Sequence, residues 1–150
     1  MKWWLQARCW LALGLVLAAA DQAVKAFMVA RQPVMEGFLS IRLVLNRGAS
    51  FGLLQDANSL LAWLGVIVVG AFTYFYTRLK APVRRWGLLV MGGVVSNAAD
   101  RFVRGAVVDY LDLGWWPVFN LADSMIVVGV AALLVLSLRD KHLFELAPEK

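Results

Sequence analysis

Residues 107–138 read VVDYLDLGWWPVFNLADSMIVVGVAALLVLSL and join two aspartates to a long apolar run. From Phe119 to Leu138 that run has the ~20 residues that a helix needs to cross the hydrocarbon of a bilayer. Asp109 and Asp123 lie on either side of its entrance. An ionised carboxylate at membrane depth is costly, so such residues usually line a polar path or an active site. The stretch therefore predicts a membrane protein in which these two aspartates are functional.

The composition of the whole chain also indicates a membrane protein. Hydrophobic residues make up 61% of the 150 residues and the mean hydropathy is +0.70, well above the roughly 45–50% apolar content of soluble domains. We predict one α-helical membrane domain with four transmembrane helices and a small outward-facing β-sheet and loop region. The predicted spans are about 9–28, 60–76, 86–102 and 119–138, and the outward-facing segments are 29–58 and 103–118.

The net charge of +5 is concentrated at the ends of the apolar runs and forms no basic face for nucleic acid. By the positive-inside rule these ends, and with them both termini, are predicted to be cytoplasmic. The residues concerned are Lys2, Arg8, Arg78, Lys80, Arg84, Arg85, Arg139 and Lys141. Five arginines then fall outside, where we expect local polar partners: Arg31, Arg42, Arg47, Arg101 and Arg104. The polar tail 139–150, with His142, is expected to be solvated.

The N-terminal run admits a second interpretation. A basic residue, an apolar run and Ala18-Ala19-Ala20 are also typical of a cleavable secretory signal. Asp21 and Lys25 follow at i,i+4, however, which favours a helix that continues past the alanines. Cys9, the one cysteine, is expected to pack without a chemical role.

Counting ~1.5 Å per residue along each helix brings the polar residues inside the spans to one level. Asp21 of the first span, Asn97, Asp100 and Arg101 of the third and Asp123 of the fourth all fall in the outer half of the bilayer. An outward-facing site is therefore predicted.

Both outward segments alternate with period 2, as half-buried strands do. In the first, Leu39, Ile41, Leu43 and Leu45 alternate with Phe38, Ser40, Arg42 and Val44, and a turn at 46–52 follows, for which a purely structural role is the simpler interpretation. In the second, Asp109 falls on the apolar side with Val107 and Leu111, while Tyr110 and Asp112 fall on the polar side. Trp115 and Trp116 fit an aromatic belt at the membrane surface.

Two close carboxylates in a poorly solvated site share one proton near neutral pH. The ionised member can then activate water while the neutral member polarises a carbonyl and protonates a leaving amine. Asn97, Arg101 and Asn120 are available to orient the carboxylates and a peptide. Other nucleophiles are poorly supported, because Ser50 and Ser124 lack a histidine and no His/Cys cluster could hold zinc.

A set of short motifs in this order resembles bacterial lipoprotein signal peptidase, also called signal peptidase II. The motifs are Asp21-x-x-x-Lys25, Asn46-x-Gly48-x-x-Phe51-Gly52, Gly92-Gly93-x-x-x-Asn97-x-x-Asp100-Arg101, Val107-Val108-Asp109 and Phe119-Asn120-x-Ala122-Asp123. One departure is Ser96, where the family usually has glycine, so a Cβ and a hydroxyl must fit a close contact.

The resemblance implies a metal-free and cofactor-free aspartyl endopeptidase of the bacterial inner membrane, which removes the signal peptide of diacylglyceryl-modified prolipoproteins on the N-terminal side of the lipidated cysteine. It implies a catalytic dyad of Asp109 and Asp123. It implies substrate-binding or dyad-orienting roles for Asn46, Gly48, Asn97, Arg101 and Asn120, and structural polar support from Asp21, Lys25 and Asp100. It further implies contact with membrane lipids, inhibition by the cyclic peptide globomycin, and a monomer whose active site faces the periplasm.

Two other functions are compatible with intramembrane charges. A small transporter or proton path would spread its carboxylates through the bilayer depth, and it is disfavoured because they gather on one side. A membrane scaffold would use the polar residues only to join helices. That alternative leaves the outward Asn, Gly and Asp motifs unexplained.

Overall fold

The computed structural model describes residues 3–48 and 57–147, with side chains from residue 12 onward. Its elements in chain order are α1 (Trp3–Arg31), β1 (Ser40–Asn46), α2 (Asn58–Phe75) with a 3-10 turn at Tyr76–Arg78, α3 (Ala81–Arg104), β2 (Val107–Asp112) and α4 (Leu121–Arg139). α1 continues through Ala18-Ala19-Ala20 without a break. The side chain of Cys9 and most of the 46–52 turn, including Ser50, Phe51 and Gly52, lie outside the described residues.

Within the described ranges, three helical stretches are long and apolar enough to cross a membrane: Ala12–Arg31, Asn58–Arg78 and Leu121–Arg139. The helical membrane class and the small sheet are thereby confirmed. α3 is not among the three, because Asn97, Asp100 and Arg101 lower its hydropathy. That α3 also spans the membrane stays a prediction.

The polarity of α3 is explained by its position, since it packs against α1, α2 and α4. Its buried side includes Ser96, Asn97 and Asp100, so these groups face protein. Gly92 and Gly93 let the neighbouring helices approach closely. A Cβ on Gly92 would lie 2.8 Å from the Cβ of Leu17 in α1, and one on Gly93 would lie 2.3 Å from the carbonyl oxygen of Ala122 in α4.

The two strands form an antiparallel ribbon in which Val44 pairs with Asp109 and Asn46 pairs with Val107. The register shifts between Ile41 and Val44, so the alternation predicted for 38–45 is interrupted there. β2 is also less simple than predicted. Its residues from Val107 to Tyr110 are all buried, because α1 and α3 contact it as well as β1. The prediction that Tyr110 lies on a polar side was therefore wrong.

Several arginines predicted to fall outside have the expected local partners. Arg42 forms an ion pair with Asp112, which is therefore more than a solvated carboxylate. Arg104 pairs with Asp100, and Arg101 donates to two carbonyl groups.

The C-terminal tail through residue 147, including His142, is exposed as the sequence predicted, except at Leu143. Leu143 is buried, and Ala147 exchanges two hydrogen bonds of 2.9 and 3.0 Å with Arg78 after α2. The tail through residue 147 therefore folds back onto the α2–α3 connection.

Candidate active site

Asp109 is placed by the turn that joins α3 to β2. Gly105 has φ +71°, a left-handed conformation that suits glycine and ends α3. The carboxylate of Asp100 then accepts a 3.1 Å hydrogen bond from the Val108 backbone N–H, which ties the start of β2 to α3. As a result Asp109 is buried, with 2% of its surface exposed. Its Oδ2 accepts a 3.0 Å hydrogen bond from Asn46 Nδ2 of β1.

Asp123 lies in the first turn of α4, where Asn120 is the N-cap residue. The two form a reciprocal capping box. The Asp123 N–H donates to Asn120 Oδ1 at 2.8 Å, and the Asn120 N–H donates to Asp123 Oδ2 at 3.2 Å. The other carboxylate oxygen, Oδ1, accepts a 2.7 Å hydrogen bond from Asn97 Nδ2 of α3. Both oxygens of Asp123 are thus held by donors.

Asn120 connects the two aspartates directly. Besides capping Asp123, its Nδ2 donates to Asp109 Oδ1 at 2.7 Å and lies 3.2 Å from Asn97 Oδ1. Asn120 is fully buried and Asn97 nearly so. The two carboxylates that the sequence singled out are therefore joined through two buried amides.

Lys25 supports this arrangement from α1. Its ammonium group is fully buried and donates three hydrogen bonds, to Asp21 Oδ2 at 2.8 Å, to Asp100 Oδ2 at 2.9 Å and to Asn97 Oδ1 at 2.8 Å. A Lys ammonium has three protons, so all three are used. The predicted i,i+4 pair of Asp21 and Lys25 is present, and Asp100 is the second carboxylate that balances the charge.

Arg101 and the chain after β1 lie on another side of the site. The Arg101 guanidinium donates 3.4 Å hydrogen bonds to the carbonyls of Asn97 and Gly48. The Gly48 N–H donates to Asn46 Oδ1 at 3.0 Å, so this turn also holds the amide that contacts Asp109. The buried Nε of Arg101 has no hydrogen-bond partner among the described residues.

The environment of Asp109 changes its acidity. Burial, and to a smaller extent the charge of Asp123, raises the pKa of its carboxyl group from 3.8 to about 7, although the hydrogen bonds from Asn46 and Asn120 act in the opposite direction. Asp109 can therefore hold or release a proton near neutral pH. That is the property required of a general acid or base.

An open groove of about 550 Å³ runs beside Asp123. Its lining is apolar except near Asp123 and Ser124, and it lies between the loop before α4 and the outer face of α4. The lining residues are Leu113, Trp115, Trp116, Pro117, Val118, Phe119, Asp123, Ser124, Ile126, Val127 and Val128. An apolar ligand lying along α4 would thus reach one carboxylate of the pair.

Sequence reasoning missed three residues of this cluster. Tyr110 accepts a hydrogen bond from the Leu121 N–H, Gln22 donates to Ser96 and Asp100, and the hydroxyl of Ser96 donates to Asp21. The hydroxyl of Ser96, which must fit where the family usually has glycine, is therefore accommodated by a hydrogen bond to the buried Asp21. For Gln22 and Ser96 the sequence offered one signal, which is that each is adjacent to a predicted site residue. Gln22 follows Asp21, and Ser96 precedes Asn97. No metal-binding cluster of His, Cys, Asp and Glu occurs in the described part of the chain.

Comparison with known proteins gives consistent matches along the chain. Residues 13–139 match the family described as Signal peptidase (SPase) II. A lipoprotein signal peptidase of Syntrophomonas wolfei is 40% identical over 84% of this chain and 90% of its own length. One from Methylobacterium sp. (strain 4-46) is 45% identical over 83% of this chain and 88% of its own length.

A solved structure described as a bacterial membrane enzyme, determined by the in meso method at 2.3 Å resolution, is also similar. It superposes with a TM-score of 0.78 at 25% identity and covers 95% of this chain and 94% of its own.

Proposed function

This chain belongs to the signal peptidase II family, and from that premise we propose that it cleaves the signal peptide of diacylglyceryl-modified prolipoproteins on the N-terminal side of the lipidated cysteine. We propose further that it is an aspartyl endopeptidase whose catalytic residues are Asp109 and Asp123. The observation that carries this mechanism is the linkage of the two carboxylates through the buried Asn120.

Asp109 has 2% of its surface exposed whereas Asp123 is only partly buried, which favours Asp109 as the carrier of the shared proton. Asp123, which borders the groove, is then the base. It takes a proton from water as the water oxygen bonds to the scissile carbonyl carbon, and Asp109 donates its proton to the carbonyl oxygen. When the tetrahedral intermediate breaks its C–N bond, Asp123 returns its proton to the leaving nitrogen and the new hydroxyl proton passes back to Asp109.

The remaining site residues have proposed roles that follow from their contacts. Asn46, Asn97 and Asn120 orient the dyad through the hydrogen bonds described above. Arg101 has a donor without a partner among the described residues and lies beside Gly48, so we assign these two to the substrate backbone. Asp21, Lys25 and Asp100 are structural support, because their bonds within the described residues join protein groups to one another.

A lipid-modified substrate suits the surroundings of Asp123. The groove is apolar, and the exposed Trp115 beside it is typical of a membrane interface. We propose that α3 is a fourth span whose polar groups face the other helices, and that both termini are cytoplasmic with the dyad toward the periplasm. The substrate then reaches the site sideways from the lipid. Further proposals from the family resemblance are that the protein acts as a monomer in contact with membrane lipids, and that globomycin inhibits it.

Cleavage of a purified diacylglyceryl-modified prolipoprotein by wild type, Asp109→Asn and Asp123→Asn tests the proposal. Each variant is expected to fold and to lose activity by about 10³-fold, within the range for removing a general acid or base. Asp112→Asn is the matched control, because Asp112 lies on the same strand but pairs with Arg42 at the surface. It should retain activity within about twofold, since exposed ion pairs contribute little.

Three outcomes would contradict parts of the proposal. Near-wild-type cleavage by either dyad variant would exclude the dyad mechanism. Equal cleavage of the prolipoprotein without its diacylglyceryl group would exclude a requirement for the lipid. No cleavage by the wild-type protein would exclude the function and favour a transporter or scaffold.

A further inference from the structure

The first turn of α4 is held by side chains from three different places in the fold. The first N–H groups of a helix have no partner within the helix. Here the Leu121 N–H donates to Tyr110 Oη of β2 at 3.2 Å, and the Ala122 N–H donates to Asp21 Oδ1 of α1 at 2.9 Å. The Asp123 N–H donates to its own N-cap, Asn120. Each of these three successive N–H groups therefore has its own acceptor.

The carboxylate of Asp21, which accepts from the Ala122 N–H, is itself oriented by Ser96. The Ser96 hydroxyl donates to Asp21 Oδ2 at 2.5 Å and accepts from Gln22 Nε2 at 3.0 Å. Because Gln22 supplies a proton from the other side, the hydroxyl proton of Ser96 is directed to Asp21. Asp21 and Ser96 are both fully buried, so water does not compete for these bonds.

We propose that Tyr110 and Ser96 are positioning residues for Asp123, an inference that rests on the proposed function. Neither has a hydrogen bond to a carboxylate oxygen of Asp109 or Asp123 among the described residues. Tyr110 acts directly on the backbone of the first turn, and Ser96 acts through Asp21. A displacement of about 1 Å at a reacting group can cost on the order of 10²-fold in rate, so these hydroxyl groups tune the rate of the chemical step and leave substrate binding unchanged.

The test compares Tyr110→Phe and Ser96→Ala with two variants that lose the same hydroxyl elsewhere. Tyr74→Phe removes an exposed hydroxyl on α2, and Ser137→Ala removes one that bonds the Leu134 carbonyl near the far end of α4. We expect kcat to fall about tenfold in each of the first two variants, which is the order expected for one lost hydrogen bond. KM should stay within about twofold. Both controls should match the wild type.

Amide hydrogen exchange in detergent gives a readout that does not depend on activity. Exchange of the segment 119–126 should be faster in Tyr110→Phe and in Ser96→Ala than in the wild type, and unchanged in the controls. Unchanged exchange in both variants would overturn the proposed hold on the helix. Faster exchange with an unchanged kcat would overturn the positioning role. Failure of the wild type to cleave any prolipoprotein would instead count against the proposed function, and exchange alone would then decide whether these residues hold the turn.

Discussion

Lys25 fixes the orientation of the Asn97 side chain. Its ammonium group donates a 2.8 Å hydrogen bond to Asn97 Oδ1, so the amide must present Nδ2 on its other side, where Asp123 accepts it at 2.7 Å. A flipped amide would place its NH₂ group against a cation and its oxygen against a carboxylate. A lysine on the first helix thereby decides what the proposed base on the fourth helix contacts.

Replacement of this lysine tests that relationship. Lys25→Met should lower the free energy of unfolding by about 3–5 kcal/mol, because it leaves Asp21 and Asp100 buried without their shared cation. Activity should be lost with it. Lys80→Met is the control, since Lys80 forms a half-exposed pair with Asp140 at 3.4 Å and should change stability by at most about 1 kcal/mol. Thermal unfolding in detergent measures both, and equal effects would contradict the role of Lys25.

The activity should depend on pH through Asp109. Below a pKa of about 7 this group carries the proton that the mechanism requires, and above it the proton is lost. We therefore expect kcat to fall by about tenfold per pH unit well above pH 7, the slope for loss of one proton. The measurement is cleavage at saturating substrate from pH 5 to 9. A rate that stays constant to pH 9 would show that Asp109 does not hold the catalytic proton.

The raised pKa of Asp109 also predicts that the stability of the folded protein depends on pH. The folded pKa of Asp109 lies above the value of 3.8, so stability is greatest when the group is protonated and is lost as the pH rises through about 7. Asp109→Asn avoids that loss and should unfold at a higher temperature than the wild type at pH 8, with a gap that narrows toward pH 5.

Asp112→Asn should shift stability in the opposite direction, because hydrogen bonds from Gly114 and Arg42 hold the pKa of Asp112 below its usual value. If Asp109→Asn were instead less stable than the wild type at pH 8, burial of the ionised Asp109 carboxylate would not lower the stability of the fold as we expect.

Asn120 combines a structural and a catalytic role that two substitutions can separate. Asn120→Ala removes the cap oxygen and should cost about 1 kcal/mol in stability as well as activity. Asn120→Ser keeps a capping oxygen but is too short to reach Asp109, so it should be near wild type in unfolding temperature and strongly reduced in cleavage. If Asn120→Ser cleaved normally, the link between the two carboxylates would not matter for catalysis.

Close packing of α3 against α4 makes a prediction at Gly93. A Cβ there would lie 2.3 Å from the Ala122 carbonyl oxygen, so Gly93→Ala must displace the backbone beside Asp123. We expect lower thermal stability and at least about tenfold lower kcat, because the first turn of α4 moves. Gly70→Ala is the matched control, since nothing lies within 4 Å of its added Cβ. Equal behaviour of the two variants would show that α4 tolerates the shift.

The sequence by itself determined the membrane class, the approximate places of the helices and the candidate residues. Hydropathy and charge are local properties, so the apolar runs and the unusual Asp109 and Asp123 could be recognised without a partner in view. The i,i+4 relation of Asp21 and Lys25 is likewise set by the geometry of one helix.

Only the tertiary structure decided how these residues meet. Asp21 accepts from the Ala122 N–H across 101 positions of chain, a contact that exists because Gly92 and Gly93 let α1 and α4 approach α3. The burial of Tyr110 and the return of the tail to Arg78 are likewise contacts between segments that are distant in the chain. No local pattern encodes such contacts, because a hydrogen bond between distant residues depends on the packing of whole helices, and packing is decided by the complementary surfaces of all of them together.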